Sequence, residues 1–438
     1  MRFYIEMNKE ILKLAIPNII SNITIPLVGI CDLAISGRLN DIAIVGGIGL
    51  GATIFTFIYS GLGFLKQGTI GIVSQFFGAK RFRPAVNVLF LSLIISLLFG
   101  LFFIGLQKPI ESLMMLILSS DSKSVIYALI YFKTRIWAAP AVLGVYSFIG
   151  WYIGMQNTIF PMIITIIINL SNIVLSIVFV FYGDMGVYGI ALGTVLSQYL
   201  GLVFSVLFFL IFYRKVIPLF DYKYIFDLKV LKNFFVINAN IFVRSILLAG
   251  SIFFFNTISA YSSDEILSIN SLLLQFLWFF SYFCDGFAYA GSTICGKYIG
   301  RKDKKLLKLA INKTIMFSFV ISLLFSLIYF IFGDYILSLL TNNVDLISLS
   351  KEYLPWVWLI SIFSFLAFAY DGIFLGATAT KELRNVMIVV VFVFFVPLSF
   401  LFSHYLGNHG LWLAFTLFFL LRGLGLHLYS KRIILRAG

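Results

Sequence analysis

Apolar runs of about twenty residues, each long enough to cross a hydrocarbon core of about 30 Å, recur from one end of this sequence to the other. They lie near residues 11–36, 43–64, 85–107, 135–155, 160–182, 186–213, 234–260, 266–296, 309–332, 353–376, 385–405 and 410–430. With 61% of residues apolar and 11% charged, the chain reads as a polytopic all-α membrane protein of about twelve transmembrane helices. The first run is preceded by Lys9, Glu10 and Lys13, carries Asn18 and Asn22, and lacks a small-residue cleavage site, so it reads as a retained helix. Cys31, Cys284 and Cys295 fall inside spans, where a thiol behaves as a small buried hydrophobe; no disulfide framework, metal site or cofactor is expected.

A formal charge of +14 would point a soluble protein towards nucleic acid, but its distribution argues against that partner. Basic residues cluster at the N-terminus (Arg2, Lys9, Lys13) and after the second span (Lys80, Arg81, Arg83). Further clusters follow the sixth (Arg214, Lys215, Lys223, Lys229, Lys232), eighth (Arg301, Lys302, Lys304, Lys305) and tenth (Lys381, Arg384) spans, and the C-terminus adds Lys431, Arg432 and Arg436. The opposite junctions carry only scattered Arg38, Lys108 and Lys123 among Glu111, Asp121, Asp264, Glu265, Asp334 and Asp345. The positive-inside rule therefore predicts both termini in the cytoplasm, in a bacterial-type inner membrane.

The chain also repeats itself. Gly78-Ala79-Lys80 matches Gly300-Arg301-Lys302 at an offset of 222, Gly154 matches Gly376 at the same offset, and Gly183–Tyr188 matches Gly407–Trp412 at 224. Two lobes of six helices follow, and because six is even they share one orientation across the membrane, the parallel-repeat plan of transporters. The expected division is a lobe over 1–213, a basic cytoplasmic linker over 214–233 and a second lobe over 234–438. No phosphate-binding G-x-x-x-x-G-K-[ST] motif is present, so uphill transport would draw on an ion gradient.

Polar residues inside the spans are the candidate site. Asn18, Ser21, Gly29, Asp32 and Ser36 fall on one face of the first helix, within an arc of about 80°. Pro26 withholds a backbone donor there and is expected to bend the helix. Asp32 lies about 28 Å along from Lys13, in the outer part of the span. A buried charge costs at least ~2.5–3.5 kcal/mol, so such a residue faces a cavity or a partner. On the fifth helix Asn169, Asn172 and Ser176 share one side and either complete a polar pocket with Asp32 or join helices. Asp184 reads as a solvated turn residue. In the second half Arg244, Asp285 and Asp371 are three deep charges, with Arg244 expected to pair with one or both carboxylates, as a clamp or a switch. Lys66 and Arg135 have stems long enough to snorkel to an interface. His404 and His409 lack a third ligand nearby in sequence.

The segments PNIISNITIPLVGICDLAISGRL, QFFGAKR, DGFAYA, DGIFLGATATKELRN and LGNHGLWLAFTLFFLLRGL, in this order and at these helices, resemble the DinF-like branch of the multidrug and toxic compound extrusion (MATE) family over essentially the whole chain. The resemblance implies a monomeric secondary antiporter that exports small amphipathic, chiefly cationic organic compounds against protons or sodium, through a cavity between the lobes. It implies proton coupling at Asp32 and a pocket role for Asn172. Many members carry a further carboxylate in this pocket, whereas helix five here offers only Asn169, Asn172 and Ser176. Asp371 resembles the aspartate tied to cation coupling in the sodium-driven branch, whose helix-seven partner is acidic; Arg244 stands there instead and favours protons over sodium. A flippase for lipids or lipid-linked sugars shares the lobe plan and would use more cationic cavity residues, of which Arg244, Lys66 and Arg135 are candidates. A membrane enzyme or scaffold is disfavoured because no nucleophile, base and metal constellation stands out.

Overall fold

A computed structural model describes residues 2–39, 41–117 and 122–435; Asp121 and Arg436, which entered the charge reading, lie outside them. The helices are α1 (Arg2–Ser36), α2 (Ile42–Leu62), α3 (Phe64–Gly78), α4 (Phe82–Gly105), α5 (Gln107–Ile117), α6 (Lys123–Arg135), α7 (Ala139–Gly154), α8 (Ile159–Ile177) and α9 (Gly186–Phe212). They continue as α10 (Tyr222–Ile225), α11 (Leu228–Ser262), α12 (Asp264–Gly300), α13 (Lys304–Leu340), α14 (Val344–Lys351), α15 (Leu354–Gly376), α16 (Thr380–Val389) and α17 (Val396–Leu435). Among the described residues no strand occurs, as a bilayer requires of backbone that must satisfy itself within each segment.

Among the described residues eleven stretches are long and apolar enough to span a membrane, and the last, Thr380–Ile434, has 55 residues. At 1.5 Å per residue that is about 80 Å, far more than one crossing needs. Gly407, at φ 58° and ψ −137°, interrupts it, so the stretch counts twice and the total is the expected twelve. Several boundaries move outward from the sequence reading, the second span to Gly78 and the ninth to Lys304–Leu340 among them. α1 begins at Arg2 and runs on through Pro26, and the fourth span begins at Lys123, its two helices joined by a short 3-10 turn at Ile136–Ala138.

The chain forms two compact bodies. The first comprises Ile20–Val73 and Lys80–Asn233. Within it α2 packs on α6, α4 on α7 and α8 on α9, around a core that includes Phe55, Tyr131, Phe132 and Ile190. The linker belongs to this body, because the Asp221 backbone amide donates to Asn87 Oδ1 at 2.9 Å and Arg83 pairs with the Asp221 carboxylate at 2.8 Å.

The second body comprises Met1–Ile19, Ser74–Ala79 and Phe234–Gly438, with α15 packed by α12, α13 and α17. Small residues let backbones touch here. A Cβ at Gly372 would lie 2.0 Å from the Ala288 carbonyl oxygen, and one at Gly376 would lie 2.1 Å from that of Ser292. Segment 74–79 is seated in the same way, with Gly78 and Gly300 each leaving 1.9 Å between an added Cβ and a carbonyl oxygen, of Lys297 and Gln75 respectively. Glu10 accepts from Lys297 in an ion pair and from the Tyr298 hydroxyl, fixing the start of α1 to α12.

The internal repeat reappears in backbone torsions. Lys80 (φ 56°) and Lys302 (φ 59°) take the left-handed conformation 222 residues apart, as do Gln156 (φ 65°) and Thr378 (φ 51°). Each follows a helix end, where one left-handed residue lets the last carbonyls be satisfied. A wide π-turn also closes the fifth stretch, at Val178–Tyr182, and joins α16 to α17 within the last, at Val390–Phe395.

Candidate functional site

In the first body α1 delivers Asp32, 9% exposed, with Oδ1 accepting no hydrogen bond. Asn172 and Ser176 of α8 are likewise buried, and Asn172 Oδ1 and Ser176 Oγ are unpartnered. A buried polar atom costs about 1–3 kcal/mol without a partner, so each of these three is open to one. The Asn172 amide donates to Thr194 Oγ1 of α9 at 2.9 Å, which orients its free carbonyl.

Arg135 does not snorkel. Its Nη1 donates to the Tyr131 hydroxyl at 2.5 Å, and its guanidinium sits over the Phe55 ring, 4.9 Å from the centroid. From there it acts electrostatically on Asp32, Tyr59 and Tyr131. The sequence showed the length of its stem but not the aromatic surface that turns it inward.

The remaining pocket candidates are placed differently. Asn169 donates to Thr24 Oγ1 at 2.7 Å and so joins α8 to α1. Ser21 is buried on α1. Asn18 belongs to the second body, and its amide donates back to the Leu14 carbonyl at 2.9 Å.

The second body holds a separate charge cluster. Asp371 of α15 is 6% exposed and its Oδ2 accepts from Arg244 of α11 and from Arg422 of α17. Asp285 of α12 acts electrostatically on Arg422, so two cations stand against two carboxylates. Sequence reasoning brought Arg244 to Asp371 but passed over Arg422, which is 2% exposed. Its signal was available as a basic residue midway along the last apolar run. The guanidinium also lies 5.5 Å from the Phe419 ring centroid, a contact that suits a desolvated cation.

Two further polar groupings are structural in character. Asn270 and Asn408 exchange amide hydrogen bonds at 2.7 and 3.0 Å, with Trp412 Nε1 donating to Asn270 Oδ1 at 2.8 Å, and so anchor the chain beside Gly407. His409 accepts from Trp356 Nε1 at 2.9 Å and meets Glu352 at 3.1 Å. Among the described residues no group of three His, Cys, Asp or Glu side chains is placed to hold a metal.

The MatE family profile matches residues 17–178 and 241–401, one copy in each half. The DNA damage-inducible protein F of Escherichia coli is 33% identical over 440 residues, covering 99% of this chain and 94% of that protein. The multidrug export protein MepA of Staphylococcus aureus is 22% identical, covering 92% of this chain and 88% of its own. Among solved structures, a MOP superfamily transporter from Pyrococcus furiosus superposes with a TM-score of 0.88 at 20% identity, over 98% of this chain and 96% of that one.

Proposed function

Because the chain belongs to the MatE family, we propose that it is a secondary active exporter of small amphipathic, cationic organic compounds, coupled to protons through Asp32 and working by alternating access. The observation that carries this reading is the Asp32 carboxylate itself, nine-tenths buried in a membrane helix with an open oxygen, in the same body as Asn172 and Ser176. A carboxylate left without a fixed partner is free to exchange a proton or a cation. Desolvation favours the neutral acid and hydration the anion, so a conformational cycle that wets and dries the residue changes its proton affinity. Protonation then removes the charge that held a cationic cargo. Asp371 is a poor alternative, because two arginines already occupy its oxygen and would repel sodium. The multidrug export named for MepA supports the cargo class.

The direct experiment uses purified protein in proteoliposomes, with proton and sodium gradients imposed separately against a panel of lipophilic cations. Uptake or efflux driven by the proton gradient alone is expected. Transport that responds only to sodium overturns the coupling assignment.

The charge pattern supports an orientation with both termini in the cytoplasm and six spans per half; a monomer in an inner membrane is the reading that the family resemblance suggests. Cysteines introduced at Lys223 in α10 and Lys229 at the start of α11 are expected to resist an impermeant maleimide added to intact cells. Efficient labelling from outside would reverse the orientation.

A further inference from the structure

We propose that Arg135 is the resident counter-charge of the Asp32 pocket: ionised Asp32 offsets it, and protonation of Asp32 uncovers it, so that proton arrival actively repels a cationic cargo. The inference rests on the exporter reading and adds a residue to its coupling machinery. Arg135 stands in the last turn of α6, where the helix C-terminus favours a cation. It is held on both sides by aromatic surface, over Phe55 and over the Tyr131 ring at 5.3 Å, and by the hydrogen bond to the Tyr131 hydroxyl. Phe55 and Tyr131 are 0% and 1% exposed, so this perch is built into the core. The chain of contacts continues, because Tyr131 meets the Thr194 hydroxyl and Thr194 accepts from Asn172. Arg135 is therefore tied to Asn172, an α8 residue whose Oδ1 is open.

Among the described residues Arg135 makes no ion pair; the carboxylate whose charge it feels is Asp32. Ile35, one turn beyond Asp32 on α1, packs in the same core cluster as Phe55 and Tyr131, the two rings that hold Arg135, which brings the two charges into one region without an ion pair. With Asp32 ionised the pair sums to zero, and with Asp32 protonated it sums to +1. A lone carboxylate could only lose its attraction on protonation. Arg135 turns that loss into repulsion, which at about 8 Å and an effective dielectric constant of about 20 amounts to roughly a thirtyfold change in cation affinity. The other titratable groups around Arg135 and Asp32 are phenols, Tyr59 of α2, Tyr131 of α6, Tyr146 of α7 and Tyr199 of α9. Phenols stay neutral through the acid and neutral range, so the charge change there belongs to Asp32.

The test uses two ions of matched size and opposite charge, tetraphenylphosphonium and tetraphenylborate, binding to the purified protein in nanodiscs between pH 5 and 9. In the parent, phosphonium affinity is expected to fall and borate affinity to rise as the pH drops. Arg135→Gln is expected to raise phosphonium affinity at pH 5 by about thirtyfold and lower borate affinity by a similar factor, while Arg135→Lys keeps the parental profile. Loss of the nearby cation should also move the midpoint of the phosphonium profile upward by about one pH unit. Equal changes for both ions in Arg135→Gln, or an unchanged ratio at pH 5 in a variant that elutes as folded protein, would show a merely structural arginine and overturn the inference. A parent whose phosphonium binding ignores pH fails earlier and removes the coupling reading itself. A parent that prefers borate at every pH removes the cationic-cargo reading.

Discussion

Asp32→Asn is expected to reach the membrane in parental amounts and to lose proton-driven efflux down to the diffusion background. The asparagine is close in shape to a permanently protonated aspartate, so the variant is fixed in the state that has released its cargo. Binding of a lipophilic cation should therefore fall at least about tenfold at pH 8, where the parent is ionised, and should differ little from the parent at pH 5. Its dependence on pH between these values should flatten. Folding damage is expected to be small, because the substitution keeps the side-chain shape, loses no hydrogen bond at Oδ1 and leaves Arg135 in the same charge state as protonation of Asp32 does. Vesicles in which Asp32→Asn still concentrates substrate at the parental rate would assign coupling elsewhere and leave Asp32 as a structural residue.

The second large effect concerns Asp371. Asp371→Asn leaves Arg244 and Arg422 buried and facing one another, and it is expected to cost about 3–5 kcal/mol of stability, read as a loss of folded protein in detergent unfolding curves. Arg422→Met should cost less, since Asp371 keeps Arg244. The triple variant Arg244→Met, Asp371→Asn, Arg422→Met should be milder than Asp371→Asn alone, with coupling of about 1–3 kcal/mol in the cycle. Additive losses across that cycle would mean that the three side chains do not act as one unit.

Much of this was legible before any coordinate. The twelve spans, the offset of 222 and the isolated Asp32 all follow from residue order, because a bilayer allows few answers to a long apolar run. What failed was direction. Arg135 and Arg422 are long side chains whose destinations depend on neighbours distant in sequence, Phe55 for the first and Asp371 for the second. Helical spacing put Asn169 beside Asn172, yet Asn169 turns to Thr24 and Asn172 to Thr194, since spacing fixes a face and not a partner. The seating of residues 1–19 and 74–79 with the C-terminal half was equally hidden. It rests on glycines whose value is the atom they lack.

The paired left-handed residues record ancestry. Lys80 and Lys302 keep both torsion and residue type, whereas Gln156 and Thr378 keep the torsion and have exchanged the side chain. A duplicated frame has thus held its corners while its chemistry drifted. Among the described residues one copy keeps its carboxylate, Asp32, out of any ion pair, and the other has bound its carboxylate, Asp371, between two arginines. Duplication supplies this freedom: a second copy of the frame can harden into support, and the first is then released to keep a site that is costly to fold.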